Sequence, residues 1–105
     1  MELEIELENM CFEIITNVGS AKTSYMDAIK AAKIEKDIEK VQSLFRKGDE
    51  SFTEAHKAHS ELLKLNAKGK IKNLPLLIIH SEDQLMSVET IKIFAEEIVD
   101  LYRRM

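Results

Sequence analysis

His80 and Asp83 stand three residues apart in the apolar-rich run Leu76-Leu77-Ile78-Ile79-His80-Ser81-Glu82-Asp83-Gln84-Leu85-Met86. On a helix they occupy consecutive turns, about 60° apart. An imidazole at such a place can serve as a nucleophile, because one ring nitrogen is free near neutral pH. It can equally be a core histidine bonded to a carbonyl or a carboxylate, which is the commoner role on an apolar face. Asp83 is harder to dismiss. A carboxylate in an apolar seam is expensive to bury unless it is paired, protonated or bound to a cation.

Other candidates are weaker. His56 and His59 have the three-residue spacing of a metal pair, but no third ligand lies near them in sequence. Cys11, the single cysteine, falls on an apolar helical stripe and reads as a buried thiol rather than a nucleophile. The chain has no phosphate-binding glycine loop, no nucleophile elbow and no zinc-protease motif.

The elements that must position these residues are helices. Leu7, Cys11, Ile14, Val18, Ala21, Tyr25, Ala28 and Ala32 recur at gaps of four and three, one face of a first helix. Gly19 interrupts it and predicts a kink or a close packing contact. Lys33 to Asp37 reads as a short connection, with Asp37 as the cap of a second helix. Its stripe is Val41, Phe45, Gly48, Phe52, Ala55, His59, Leu62 and Asn66, ending at Lys68-Gly69. Pro75 suits the first turn of a third helix that runs to about Tyr102. Short connections make neighbouring helices antiparallel, so the predicted fold is an all-α, up-down-up three-helix bundle, one domain over residues 1–105.

The third helix is too apolar for one stripe. Glu82, Glu89, Glu96, Asp100 and Arg103 gather on a solvated face. Val88, Ile91, Ala95, Ile98 and Tyr102 form one seam, and Ile79, Met86, Thr90 and Ile93 form a second, with Asp83 in line with it. The second seam calls for another partner, and the same helix of another subunit, packed as a coiled coil, supplies one. A broad core stripe inside a compact monomer is the alternative. In a symmetric oligomer, copies of Asp83 would converge on the axis. A hard divalent cation with oxygen ligands, such as magnesium, would relieve their repulsion.

The 105 residues are 45% apolar and 32% charged, with a net charge of −4 that argues against nucleic acid or an anionic membrane as main partner. No apolar run reaches the ~18 residues of a membrane span, the N-terminus has no signal-peptide pattern, and one cysteine suits a reducing cytoplasm.

The run around His80 resembles the active-site helix of the lactose/cellobiose-type IIA proteins of the bacterial phosphoenolpyruvate-dependent sugar phosphotransferase system. Phe12-Glu13-Ile14-Ile15, followed by Gly19-Ser20-Ala21-Lys22-Thr23-Ser24, resembles the first helix of that family, and Glu54-Ala55-His56 matches a triplet in its second. The resemblance implies a homotrimer of three-helix subunits, a nine-helix bundle with a metal on its axis held at the position of Asp83. It implies that His80 receives a phosphoryl group from the phosphohistidine carrier HPr and passes it to a cysteine of the IIB protein. The membrane protein IIC would then import a β-linked disaccharide of the lactose, cellobiose or chitobiose type. The chain departs from the family's His-x-Gln-Asp-His pattern, with Glu82 in place of the glutamine and Gln84 in place of the second histidine. His59-Ser60 replaces a usual Gln-Thr, and Cys11 stands where glycine is frequent. Glu82, on the solvated face, is expected to have little effect on the site. Without the resemblance, the residues also fit a helical interaction module in which His80 and Asp83 are structural.

Overall fold

The computed structural model describes residues 2–105. Three helices are present, α1 (Glu2–Lys30), α2 (Ile38–Ala67) and α3 (Leu76–Arg104), and no strand occurs among the described residues. The molecule is a rod of 53 × 18 × 17 Å. Its length follows from helices of 29 and 30 residues, which at about 1.5 Å per residue span roughly 45 Å.

α1 buries Cys11, Ile14, Val18, Ala21, Tyr25 and Ala28, the stripe read from the sequence, and Glu2 and Glu4 in its first turn suit the positive end of the helix dipole. Gly19 admits no close neighbour within the chain. It is exposed, with no atom within 4 Å of where a Cβ would stand, and α1 runs through it without interruption.

The expected connection from Lys33 to Asp37 is shorter than the sequence suggests. α1 widens into a π turn over Ala31–Glu35, closed by a hydrogen bond from the Lys36 N–H to the Ala31 carbonyl at 2.8 Å. The wide turn keeps Ala31 and Ala32 buried against Val41 and Val99 while the chain reverses in two residues. Lys36 takes up the reversal in a left-handed conformation, φ 55°. Asp37 then caps α2 as expected, accepting from the Lys40 N–H at 3.1 Å. At the other end of α2, Gly69 adopts φ +71°, and the Lys70 and Gly69 N–H groups bond the carbonyls of Leu65 and Asn66. That is a Schellman stop, available because glycine accepts positive φ without strain. Pro75 sits one residue earlier than expected. It is extended (ψ 148°) and precedes α3, its carbonyl accepting from Ile78 and Ile79.

α1 packs along both other helices, whereas α2 and α3 touch little. One clasp joins all three. The Tyr25 ring lies over Gly48, where a Cβ would come within 2.5 Å of Cε1. The Tyr25 hydroxyl donates to Asp49 Oδ1 at 2.6 Å, and Lys92 Nζ reaches the same oxygen at 3.0 Å. Burial first, then Asp49, pushes the Tyr25 hydroxyl far above its ordinary pKa.

α3 turns Ile78, Ser81, Leu85, Val88, Ala95 and Val99 inward. The expected core seam is therefore only partly right: Val88 and Ala95 are buried, Ile91 and Tyr102 half-buried, and Ile98 exposed. Ser81 explains the shift. Its hydroxyl donates to the Ile78 carbonyl of its own helix at 2.9 Å, so a polar residue can face the core without an unmet hydrogen bond. The second seam is not taken into this chain's core. Ile79, Met86 and Ile93 are 47%, 65% and 61% exposed, so the single broad core stripe of a compact monomer is ruled out as their role.

Candidate functional site

His80 lies in the second turn of α3, one residue before Ser81, and its side chain is exposed. Ser81 faces the core at 0% exposure; a step of about 100° back along the helix carries His80 out of the bundle. Leu76, Leu77 and Ile79 are the apolar residues nearest the imidazole in sequence and would shield it if they packed around it. Within one chain that shielding is missing, since Leu76 and Ile79 are exposed and only Leu77 is half-buried. The imidazole therefore stands on an open, largely apolar surface. Gln84 and Asp83 are one turn further on, at spacings that bring helical side chains together.

Asp83 is exposed on the outward stripe with Ile79, Met86, Thr90 and Ile93. Within one chain it has no partners for a metal. No group of three histidine, cysteine, aspartate or glutamate side chains able to hold an ion occurs among the described residues. A single carboxylate per chain, set in an otherwise apolar stripe, fits a cation only where several copies of the stripe meet. Oxygen donors of that kind suit magnesium or a similar hard ion.

Glu82 departs from expectation. It does not belong to the solvated face of Glu89, Glu96, Asp100 and Arg103 but turns toward α2, where its Oε2 lies 2.5 Å from His59 Nδ1. Both side chains are mostly buried, 26% and 22% exposed. The His59 Nδ1 is sealed from solvent and makes no well-angled hydrogen bond, so Glu82 is in place as its acceptor without being aligned as one. Two departures noted separately in the sequence thus meet in space. The signal that could have joined them was His59 itself, a polar ring on the inward stripe of α2 that needed a partner.

No third ligand joins His56 and His59 among the described residues. His56 is exposed, with its ring tilted beside Phe52 at 6.1 Å and edge-on to His59 at 5.5 Å between ring centroids. Cys11 is fully buried, and burial pushes its thiol pKa up despite a contact with Ser81 that pulls the other way. A thiol held neutral is a poor nucleophile.

Residues 9–103 match the family described as "PTS system, Lactose/Cellobiose specific IIA subunit". The chain belongs to the lactose/cellobiose-specific IIA family. Its relatives include the lichenan-specific phosphotransferase enzyme IIA component of Bacillus subtilis, 35% identical over 94% of this chain and 89% of the relative. The lactose-specific EIIA component of Staphylococcus epidermidis is 30% identical over 94% of each chain. The crystal structure of the cellobiose-specific enzyme IIA from Bacillus anthracis superposes with a TM-score of 0.87 at 33% identity, covering 93% of this chain and 89% of that one. IIA components are phosphotransferase carriers in sugar uptake, which sets aside the reading as a non-catalytic interaction module. No helix among the described residues is long and apolar enough to cross a membrane.

Proposed function

We propose that this IIA protein accepts a phosphoryl group on His80 from phospho-HPr and delivers it to a cysteine of a IIB protein. That step would serve the uptake of a β-linked disaccharide through IIC. The observation that carries the reading is the placement of His80, exposed on a rigid helix in a chain of this family. A carrier must present one nitrogen to two different proteins in turn, and a buried histidine could meet neither.

Phosphoryl transfer of this kind rests on positioning and charge stabilisation. The nitrogen–phosphorus bond of the donor breaks as a nitrogen of His80 bonds the same phosphorus, and the electron pair of the broken bond returns to the donor imidazole. In the second half the cysteine thiolate takes the phosphoryl group and His80 recovers its lone pair. The attacking nitrogen must be unprotonated, so neutral His80 is the competent form, with its proton on the other nitrogen.

The reading extends to a homotrimer assembled through the outward stripe of α3. Ile79, Met86 and Ile93 are exposed in the single chain, and a parallel meeting of three stripes would cover them. Asp83 from each copy would hold a divalent cation, magnesium in our reading, whose chemistry is to neutralise the three carboxylates. In such an assembly the neighbouring subunit borders His80 and supplies the shelter from water that one chain lacks.

The test is phosphate transfer. Incubated with phosphoenolpyruvate, enzyme I and HPr, the protein should gain one phosphoryl group per chain by intact mass, and His80→Ala should gain none. Labelling that survives the substitution would overturn the site assignment.

A further inference from the structure

The turn of α3 that carries His80 is held from two sides. On one, Ser81 is sunk against α1, beside Cys11. On the other, Glu82 reaches His59 of α2. We infer that the His59–Glu82 contact is a positioning device for His80, fixing how far α3 is rotated about its own axis at the turn that presents the imidazole. The inference rests on the reading of His80 as the phosphoryl acceptor, and it gives that site two further residues.

The contact is placed where a tie is needed. α2 and α3 scarcely touch, and two side chains of α3 link them: Glu82 to His59, and Lys92 to Asp49 at 3.0 Å and over the Phe52 ring. Ten residues of helix, about 15 Å, separate them. The distant link cannot hold the angle of the His80 turn alone. The near link is shielded, because both side chains are mostly buried and the ring nitrogen is shut off from water. A buried polar atom of that kind is costly to leave unpartnered, which favours the arrangement that keeps Glu82 against it. The His59 ring also has a neighbour along α2: it stands edge-on to His56, whose ring lies tilted beside Phe52.

A small rotation has a large effect at the site. The tip of a helical side chain stands roughly 6 Å from the axis, so turning α3 by about 10° moves the His80 ring by about 1 Å. Displacements of that size slow reactions that depend on alignment by up to about a hundredfold. Glu82 and His59 touch neither the phosphoryl group nor the imidazole in this scheme; they act through the helix.

The experiment follows the rate of phosphoryl uptake from phospho-HPr in His59→Ala, Glu82→Ala and their double variant, each checked for helix content and oligomeric mass. Either single change should lower the rate at saturating donor by about tenfold and leave the half-saturating donor concentration unchanged. The double variant should be no slower than the slower single, because both remove one contact. The paired amides of His59→Gln with Glu82→Gln should recover most of the rate. Singles at the wild-type rate, losses that multiply, or a loss confined to half-saturation would overturn the inference. Should an alanine variant fail to fold, the two single glutamine variants and their pair give the same comparison. If the wild type itself takes up no phosphoryl group, the reading of His80 fails instead. The ring proton resonances of His80 then judge the contact: shifts that move in both singles and return in the amide pair uphold it, and shifts that stay put refute it.

Discussion

The inner face of α3 sets Ile78, Leu85, Val88, Ala95 and Val99 against the rest of the chain, while the outer face leaves Ile79, Met86 and Ile93 in the open. Both stripes repeat at gaps of three and four, and both are apolar enough to form a core. Hydropathy alone does not separate them. Their polar members do. The inner stripe carries Ser81, which satisfies itself on its own helix; the outer stripe carries Thr90, which does the same toward Met86, and Asp83, which has no ion-pair partner among the described residues. An apolar stripe of this length left exposed is the kind of surface the proposed trimer would cover, and its one charged residue is the one that proposal gives to a cation.

The sharpest way to break this comparison is to cut one residue from each stripe. Leu85→Ala, at 3% exposure, should lower the unfolding free energy by about 2–5 kcal/mol in urea denaturation. Ile93→Ala should leave the helix content of the dilute single chain intact and, if the proposed trimer forms through the outer stripe, lower its mass in sedimentation. Equal loss of single-chain stability in both would erase the distinction between the faces.

Next in size is Asp83→Leu. In the proposed trimer Asp83, exposed in the single chain, would become a buried charge, and replacing such a charge by an apolar side chain of similar volume is often neutral or stabilising by about 1–4 kcal/mol. The wild-type assembly should therefore loosen on addition of a chelator, while the Asp83→Leu assembly keeps its mass with or without one. A variant that falls apart on its own would show that Asp83 contributes something other than repulsion relieved by a cation.

Tyr25→Phe probes the inner side further from His80. Removing the hydroxyl takes a hydrogen bond from a charged acceptor, a loss of about 1.5–3 kcal/mol. It should also change the alkaline limb of stability. The native state keeps this hydroxyl neutral, above its ordinary value of 10.0, so its contribution is complete below that pH and falls as pH rises through and beyond it. Thermal unfolding midpoints of Tyr25→Phe should accordingly fall less steeply than those of the wild type above about pH 10.

Helix existence, caps and stops were legible because each rests on local chemistry: Asp37 at an N-terminus, Gly69 after a C-terminus, alternating gaps of three and four between. The stripes of α1 and α2 were legible for the same reason. What stayed hidden depended on pairing between helices. The rotation of α3 is not legible from the sequence, because a serine such as Ser81 carries no signal that it turns inward. Its bond to Ile78 is what lets it turn in, and that rotation decides which side Glu82 faces. The π turn at Ala31–Glu35 was likewise hidden, because alanines and lysines carry no signal for a widened helix, and only packing against Val41 and Val99 calls for it. His80 and Asp83 were conspicuous by type and spacing, whereas His59 became part of the candidate site only through its contact.

The smallest expected effect tests whether the contrast between inner and outer faces extends to α1. Gly19 lies on the outward side of that helix, seven residues from Phe12 and from Met26, which are both exposed. Within the chain nothing approaches it, so Gly19→Ala meets no steric objection and removes the entropy penalty of glycine in a helix. The single chain should gain about 0.5–1 kcal/mol, a rise of a few degrees in the thermal midpoint. If α1's outer stripe is free in the assembly, the oligomeric mass stays the same and the gain appears in full. If another copy seats its backbone against Gly19, the added methyl group obstructs it and the assembly weakens even as the chain is strengthened. If α3 is the surface of the proposed trimer, the first outcome is expected, and sedimentation of Gly19→Ala beside Ile93→Ala would show whether one helix or two carry the contact.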